Sequence, residues 1–309
     1  MEDDGFRRQF DAVLADVCRL VGVPAADAEL LRLNSNAVFA FPPAGLVVRI
    51  STSLAARDRI TASLKVTAWL AERGFPCTAP APVAGQPFTI DGKVASVWQY
   101  VPEAPGPAPS AIDLARLLRD LHTRPQPPSP PETLADPLAS VAAALQSAPP
   151  DAIPRRDRDW LASQIASLRS QWAELRFPHP PALIHGDAHP GNLIRAPHDT
   201  IVLGDWDHVA VGPPEWDLAQ IHYTSRRLGY PAQEDVNGFG ATYGRDIRDW
   251  PGLATLLAIR EVSGLSPYIR NASTQPFARR ELALRVSTLQ AGDHSARWNR
   301  PSPARPREA

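Results

Sequence analysis

The spacing of hydrophobic and polar residues divides the chain into a strand-rich first part and a helix-rich second part. In the first part, alternating apolar residues and intervening polar turns predict short strands, and amphipathic spacing predicts two helices. The predicted strands cover Glu29 to Leu33, Ala37 to Phe41, Leu46 to Ile50, Phe88 to Ile90 and Val94 to Tyr100. The predicted helices cover 6–20 and 54–73. A mainly antiparallel sheet is expected, because the last two strands flank the turn Asp91-Gly92.

Helical periodicity dominates the second part. The predicted helices cover Ala111 to His122, Trp160 to Leu175, 215–227, 235–247, 252–270 and 276–290. Two short strands, Asn192 to Arg195 and Thr200 to Leu203, flank a polar turn and predict a hairpin. We therefore expect an N-terminal lobe over 1–101 and a C-terminal lobe over 102–293. The remainder, 294–309, is rich in proline and arginine and is predicted to be disordered.

Composition narrows the class of protein and its partners. The chain has 309 residues, 44% of them hydrophobic and 21% charged, as in ordinary globular proteins. Its net charge of −1 gives no indication of nucleic-acid binding, and no apolar run approaches the roughly 20 residues of a membrane span. The acidic start Met1 to Asp4 is unlike a signal peptide, and Cys18 and Cys77 lack metal-type spacing. A cytoplasmic protein without nucleic-acid or membrane partners is expected.

The most informative segment is His185-Gly186-Asp187-Ala188-His189-Pro190-Gly191-Asn192, followed by Asp205-Trp206-Asp207. Asp187 and Asn192 are five residues apart, as are the Asp and Asn of the protein-kinase catalytic loop. Phosphoryl transfer needs a carboxylate that orients the attacking hydroxyl and accepts its proton, and Asp187 has the chemistry for this. It also needs oxygen ligands for magnesium, which Asn192 and Asp205 can supply. The predicted hairpin would bring Asp205 beside Asn192.

Two other interpretations fit parts of this segment. Asp, Gly and Asn are common in turns, so a lone H-G-D triplet often has no further role. Alternatively, His185, Asp187 and His189 would share one face of a strand and act as the metal ligands of a hydrolase. Pro190 and the two glycines of the segment argue against a regular strand. Kinase-type chemistry is therefore favoured.

Three motifs together resemble those of the aminoglycoside phosphotransferase and choline kinase family. They are H-G-D-x-H-P-G-N at 185–192, D-W-D at 205–207 and P-P-E-W-D-L-A at 213–219. The resemblance implies an α+β, protein-kinase-like fold, with a small N-terminal antiparallel β-sheet lobe and a larger, mainly helical C-terminal lobe. It also implies transfer of the γ-phosphate of ATP or GTP, with Mg²⁺, to a hydroxyl of a small molecule.

The resemblance also assigns roles to individual residues. Asp187 would be the catalytic base, and Asn192 and Asp205 would bind magnesium. Asp217 would brace the catalytic loop from the following helix, and His185 would bond backbone near the metal-binding segment. A role as a further metal or loop contact is open to Asp207.

The N-terminal lobe departs from the usual kinase pattern in its phosphate-binding elements. No G-x-G-x-x-G is present, so Ser35 and Asn36 in the first hairpin turn would have to cover the phosphates. Kinases place a lysine on the third strand, where this chain has Arg49. Arginine can pair bidentately with phosphate, although Arg49 is also compatible with a plain surface position. The next helix has no acid at its middle, and Asp58 is a possible substitute partner for Arg49.

The segment Gln99-Tyr100-Val101 matches the linker at which the family binds the purine. Backbone groups of Gln99 and Val101 would contact the base edge there. Because backbone contacts leave little trace in a sequence, the choice between ATP and GTP stays open.

The identity of the acceptor is the least determined feature. From Gly252 to the end, nine arginines face four acids, whereas a site for a polycationic aminoglycoside should be lined with carboxylates. Glu261, Asp217 and Glu215 are the possible substrate contacts. An antibiotic of aminoglycoside, nucleoside or peptide type, phosphorylated to give resistance, is the favoured acceptor. The alternatives are a metabolic or biosynthetic kinase for a sugar, amino alcohol or amino acid, and a nucleotide-binding regulator with impaired catalysis.

Overall fold

A computed structural model describes residues 2–33 and 36–299. The helices are α1 (Glu2–Val21), α2 (Arg57–Glu72), α3 (Ala111–Thr123), α4 (Ala139–Ser147), α5 (Arg155–Glu174), α6 (Pro214–Leu228), α7 (Gln233–Tyr243), α8 (Leu253–Ser263), α9 (Ser266–Asn271) and α10 (Pro276–Gln290). The strands are β1 (Glu29–Leu33), β2 (Asn36–Phe41), β3 (Leu46–Ser51), β4 (Phe88–Ile90), β5 (Lys93–Gln99), β6 (Ala182–Ile184), β7 (Leu193–Arg195), β8 (Ile201–Leu203) and β9 (Ala210–Gly212).

The N-terminal strands form one antiparallel sheet in the order β1-β2-β3-β5-β4. Val48 and Ile50 of β3 point to the face that α1 covers, where they join a core with Phe10 and Phe39. Arg49 alternates with them and therefore points to the opposite face, as the strand pattern predicts. The sheet thus presents Arg49 to the second lobe.

The C-terminal lobe is mainly helical and contains two small two-stranded sheets. Strands β7 and β8 form the predicted antiparallel hairpin, with Leu193 opposite Leu203. Strand β6 pairs with β9, so the segment that enters the catalytic loop lies beside the strand that leads into α6. This α+β, kinase-like architecture confirms the predicted fold class.

Two helix predictions need correction. The predicted single helix 252–270 is broken between α8 and α9, at Gly264 and Leu265. The hydrophobic spacing does not reveal this break, because apolar residues continue at helical spacing across it. They include Val262, Leu265 and Ile269, which are all buried in one core. Helix α4 was not predicted, since it has only 9 residues and lies within a proline-rich region.

The tail predicted to be disordered begins at residue 294; residues 300–309 lie outside the described residues, and 294–299 have a defined position. This segment lies against α6 and α10, and the Trp298 side chain is only 4% exposed. Trp298 N–H donates to the Arg227 carbonyl at 2.7 Å, and Asn299 N–H donates to Glu281 at 2.8 Å. Burial of the Trp298 side chain and these hydrogen bonds therefore hold the segment in place, although its composition is polar. In the described ranges, none of the helices has the length and apolar character needed to span a membrane.

Candidate active site

The catalytic loop is anchored by Asp217, in the first turn of α6. The Asp217 carboxylate accepts hydrogen bonds from the backbone N–H of His185 at 2.7 Å and of Gly186 at 2.8 Å. Its Oδ2 also lies 3.1 Å from Nε2 of His122. Burial alone would raise the pKa of Asp217, but the hydrogen bond and charge of His122 and the contacts of His185 hold it below its ordinary value. Asp217 is therefore an ionised internal anchor.

The loop passes close to the segment that follows the D-W-D motif, and this explains Gly186. Its φ is +86°, and a Cβ at this position would lie 2.1 Å from the His208 carbonyl oxygen. Both the backbone conformation and the space require glycine.

His185 is fully buried and donates from Nε2 to the Gly204 carbonyl at 2.9 Å. It thereby links the catalytic loop to the segment that carries Asp205. A buried, hydrogen-bonded His185 is not available as a metal ligand, so the geometry disfavours the hydrolase alternative. The backbone contact is the one that the family resemblance implies for His185.

Asp187 is held in place while part of its carboxylate faces solvent. Its side chain is 38% exposed, and its Oδ1 accepts a hydrogen bond from Gln220 Nε2 at 2.7 Å. Nε2 of His189 lies 3.9 Å from the other oxygen, Oδ2. A carboxylate with one oxygen fixed and the other accessible is arranged as a general base requires.

The predicted magnesium ligands come together through the hairpin. The N–H of Gly204 donates to the Asn192 carbonyl at 2.8 Å, which brings Asp205 next to Asn192. The Asn192 side-chain amide donates to the Asp187 carbonyl at 2.9 Å, so its Oδ1 is directed away from that bond. One amide oxygen and one carboxylate, completed by phosphate oxygens, form a donor set that suits Mg²⁺. These residues therefore fit the implied ion.

Asp205 is surrounded by two arginines. Arg49 lies 3.2 Å from Oδ1 and Arg32, on β1, lies 3.1 Å from Oδ2. Burial would raise the pKa of Asp205, but the charges of Arg49 and then Arg32 hold it below its ordinary value. The Asp205 carboxylate is therefore ionised.

Arg49 also forms an ion pair with Asp207, and Asn36 Nδ2 lies 3.4 Å from the same carboxylate oxygen. The suggested substitute, Asp58, is exposed on α2. At the middle of α2, Ser63 is buried instead and donates to the Trp206 carbonyl at 2.6 Å. Helix α2 thus holds the backbone of the D-W-D segment through Ser63, and Asp207 of that segment forms the ion pair with Arg49.

The predicted purine-binding segment, Gln99-Tyr100-Val101, begins at the last residue of β5. The N–H groups of Gln99 and Tyr100 are used internally, donating to the carbonyls of Ala79 and Gly45 at 2.9 Å each. The backbone of Val101 forms no hydrogen bond to any residue in the ranges that the structure describes. Val101 can therefore offer its backbone to a base edge, as the resemblance implies. Ser35 lies outside the described residues.

Three residues of this site were missed by sequence reasoning. The sequence gives only a weak signal for Arg32, namely its position on a strand, from which the side chain faces the cleft. Gln220 directly follows the D-L-A motif, and nothing in its spacing marks it. Arg260 is buried on α8, where it donates to the carbonyls of Gly186 at 3.1 Å and Trp216 at 2.6 Å. Burial lowers the pKa of Arg260 to about 10, so it stays charged at neutral pH.

The three acids named as possible substrate contacts have buried carboxylates that already form hydrogen bonds within the protein. Glu261 is 2% exposed and accepts from Arg226 at 2.7 Å and Arg227 at 2.5 Å. Glu215 is fully buried against His179, and Asp217 is fully buried beneath the catalytic loop.

Comparison with known proteins identifies the family of this chain. Residues 28–256 match the model of the phosphotransferase enzyme family, APH. The chain belongs to this family. It is accordingly a kinase-type phosphotransferase of the kind that acts on small molecules. A search of curated protein sequences gave no significant match.

Several solved structures of low sequence identity share the fold of this phosphotransferase. An amicoumacin kinase in complex with AMP-PNP and Ca²⁺ has a TM-score of 0.70 at 14% identity, covering 93% of this chain and 95% of its own. Choline kinase LicA from Streptococcus pneumoniae gives 0.62 at 15%, covering 91% and 99%. The aminoglycoside phosphotransferase APH(3'')-Id from Streptomyces rimosus gives 0.58 at 18%, covering 82% and 97%.

Proposed function

We propose that this phosphotransferase moves the γ-phosphate of ATP or GTP to a hydroxyl of an antibiotic and so gives resistance. The observation that carries the chemistry is the fixed carboxylate of Asp187, which accepts from Gln220 at 2.7 Å, beside Asn192 and Asp205. The choice of an antibiotic is supported by the TM-score of 0.70 with an amicoumacin kinase over 93% of the chain.

In the proposed mechanism, Asp187 orients the acceptor hydroxyl through its accessible carboxylate oxygen and takes the proton as the hydroxyl oxygen attacks the γ-phosphorus. The bond from that phosphorus to the bridging oxygen of the β-phosphate breaks, and the nucleoside diphosphate leaves. Arg49 and Arg32 exchange their contacts with Asp205 for contacts with the α- and β-phosphates. Asn192 and Asp205 would hold Mg²⁺, which when bound neutralises charge on the phosphates. The backbone of Val101 would contact the purine edge.

A metabolic kinase is the second candidate. It is supported by the likeness to choline kinase LicA, at a TM-score of 0.62 over 91% of this chain. The regulator with impaired catalysis has less support, since Arg49 has an acidic partner in Asp207 despite the missing helix acid.

The experiment is phosphate transfer from ATP and from GTP with magnesium, across antibiotics and small metabolites, measured by the mass of the product. Asp187→Asn is the catalytic control, because it keeps the shape of the site and removes the base. Transfer to an antibiotic, together with protection of a sensitive host, is expected. Transfer only to a metabolite would replace the antibiotic proposal with the second candidate. Failure to bind nucleotide would overturn both.

A further inference from the structure

The peptide group that joins Gly186 to Asp187 is held on both sides. Its carbonyl, that of Gly186, accepts from the guanidinium of Arg260 at 3.1 Å and from Nε1–H of Trp216 at 3.0 Å. Its N–H, that of Asp187, donates to Nδ1 of His185 at 3.4 Å. This peptide group fixes the direction in which the Asp187 side chain leaves the backbone. The groups that hold it therefore also set where the base points.

Arg260 reaches this peptide group from α8 and is itself held by Trp216 of α6. Its second terminal nitrogen donates to the Trp216 carbonyl at 2.6 Å. The central carbon of the guanidinium lies over the Trp216 ring, 3.7 Å from the ring centre. Because the guanidinium is planar and rigid, these contacts fix the N–H that points at Gly186. Arg260 thus ties α8 and α6 to the catalytic loop.

Arg260 differs from the other buried arginines because it has no acidic partner. In the part of the chain that the structure describes, the other buried arginines are Arg227 and Arg285, and each pairs with a glutamate. Among the same residues, no carboxylate forms an ion pair with Arg260, and its Nε has no hydrogen-bond partner. A buried cation without an ion-pair partner is costly. The charge of Arg260 therefore calls for a role other than a local ion pair.

Packing of α8 does not explain a charge at this position. Its other core positions include Leu256, Ile259 and Val262, which are buried and apolar. Burial lowers the pKa of Arg260 to about 10, and the carboxylates that oppose this shift are Asp187 and Asp217. The positive charge of Arg260 is thus felt by the base and by the anchor of the catalytic loop.

We infer that Arg260 is a positioning residue for phosphoryl transfer, because it holds the Gly186 carbonyl and so aims the Asp187 carboxylate at the acceptor hydroxyl. This inference rests on the proposed function, in which Asp187 is the base. Gln220 fixes one oxygen of that carboxylate at 2.7 Å, and Arg260 fixes the backbone from which the side chain extends. The first acts through the side chain of the base and the second through its main chain.

The test replaces Arg260 in the full chain with methionine, which keeps an unbranched side chain and removes the charge and the donors. The Kd for ATP is measured together with the rate of phosphate transfer, with magnesium, to water and to any acceptor found in the experiment above. For Arg260→Met we expect kcat to fall about tenfold to a hundredfold while the Kd for ATP stays the same, as for a misplaced reacting group. Arg260→Lys should recover part of the lost rate, because it keeps the charge but not the planar fork.

Hydrogen exchange of the backbone amides measures the order of the loop without any acceptor. In Arg260→Met, a peptide covering 183–192 should exchange faster than in wild type, while peptides from β2 and β3 should be unchanged. The matched control is Arg285→Met, because Arg285 is also buried and lies 4.0 Å from the centre of an aromatic ring, that of Tyr268. The side-chain hydrogen bonds of Arg285 go to α9, α10 and the segment 294–299. Its replacement should therefore leave kcat and the exchange of the loop unchanged.

The inference is overturned if kcat falls no further in Arg260→Met than in Arg285→Met, or if exchange in 183–192 does not change. A Kd for ATP that rises as much as kcat falls would also overturn it, since that pattern means general damage to the cleft. If Arg260→Met does not fold, Arg260→Lys and Arg285→Lys repeat the comparison, and a lower kcat in the first alone is expected. Wild type that transfers phosphate to neither water nor any compound would defeat the proposed function, whereas exchange in the loop still decides whether Arg260 holds it.

Discussion

The guanidinium group of Arg49 joins both acids of the D-W-D segment, since it forms an ion pair with Asp207 and lies 3.2 Å from Asp205. Family members usually brace the cation of the third strand with a glutamate from the following helix. Here Asp207 supplies the acid that pairs with Arg49, and Ser63 of α2 donates a hydrogen bond to the Trp206 carbonyl. The missing helix glutamate therefore does not leave Arg49 without an acidic partner.

Replacing Arg49 should weaken nucleotide binding. Arg49→Ala removes a charged donor to phosphate, and we expect KM for the nucleotide to rise about tenfold to a hundredfold, as for loss of a charged hydrogen bond. Arg49→Lys should retain part of the affinity, because the charge stays while the planar fork is lost. Steady-state kinetics in ATP and GTP measure both. Arg57→Ala is the control, since Arg57 bonds Thr89 and the Pro87 carbonyl instead. An unchanged KM in Arg49→Ala would remove Arg49 from nucleotide binding.

Gln220 positions the base and should matter for turnover more than for binding. Gln220→Leu removes the 2.7 Å hydrogen bond to Asp187, and we expect kcat to fall about tenfold to a hundredfold while the nucleotide KM stays the same. Gln220→Glu places a second carboxylate against Asp187. The added negative charge disfavours the ionised base, so the acidic limb of the pH–rate profile should move upward. Gln171→Leu on exposed α5 is the control. A Gln220→Glu profile identical to that of wild type would contradict the positioning role.

Local patterns were sufficient to predict the sheet, the β7–β8 hairpin and the grouping of Asp187, Asn192 and Asp205. Each follows from short-range rules, because alternation fixes the face of a strand and a hairpin returns the chain to its start. The β7–β8 hairpin forms as predicted, and Ile194 lies opposite Val202.

Long-range partners could not be predicted in the same way. Nothing near Arg49 in sequence indicates that Asp207 will be its partner, because they lie 158 positions apart. Glu261 looked available for a substrate, and only the packing of α6 on α8 places two arginines on it. The order of 294–299 likewise depends on a pocket for Trp298 that distant residues build.

A methyl group at Gly186 should disrupt the catalytic loop. Because φ is +86° and a Cβ at this position would lie 2.1 Å from the His208 carbonyl oxygen, Gly186→Ala has to shift backbone on both sides. We expect a loss of stability of about 1–3 kcal/mol from strain at such a position, and a large loss of kcat. Urea unfolding and kinetics measure the two effects. Gly229→Ala, where φ is +66° but nothing lies within 4 Å, separates the cost of φ from that of the clash. Equal effects in the two variants would show that the contact with His208 is unimportant.

Asp217 should make stability depend on acid pH. Its pKa is lowered in the folded protein, so its contribution is fully present above the unfolded value of about 3.9 and is lost as pH falls through the lower folded value. Asp217→Asn keeps the shape but loses the charge that accepts from His185 and Gly186, and should cost about 1–3 kcal/mol at pH 7. Urea unfolding between pH 7 and pH 3 should show the gap between wild type and variant narrowing below about pH 4. The control Asp199→Asn, 92% exposed, should match wild type throughout. A gap that stays constant to pH 3 would mean that the charge of Asp217 does not anchor the loop.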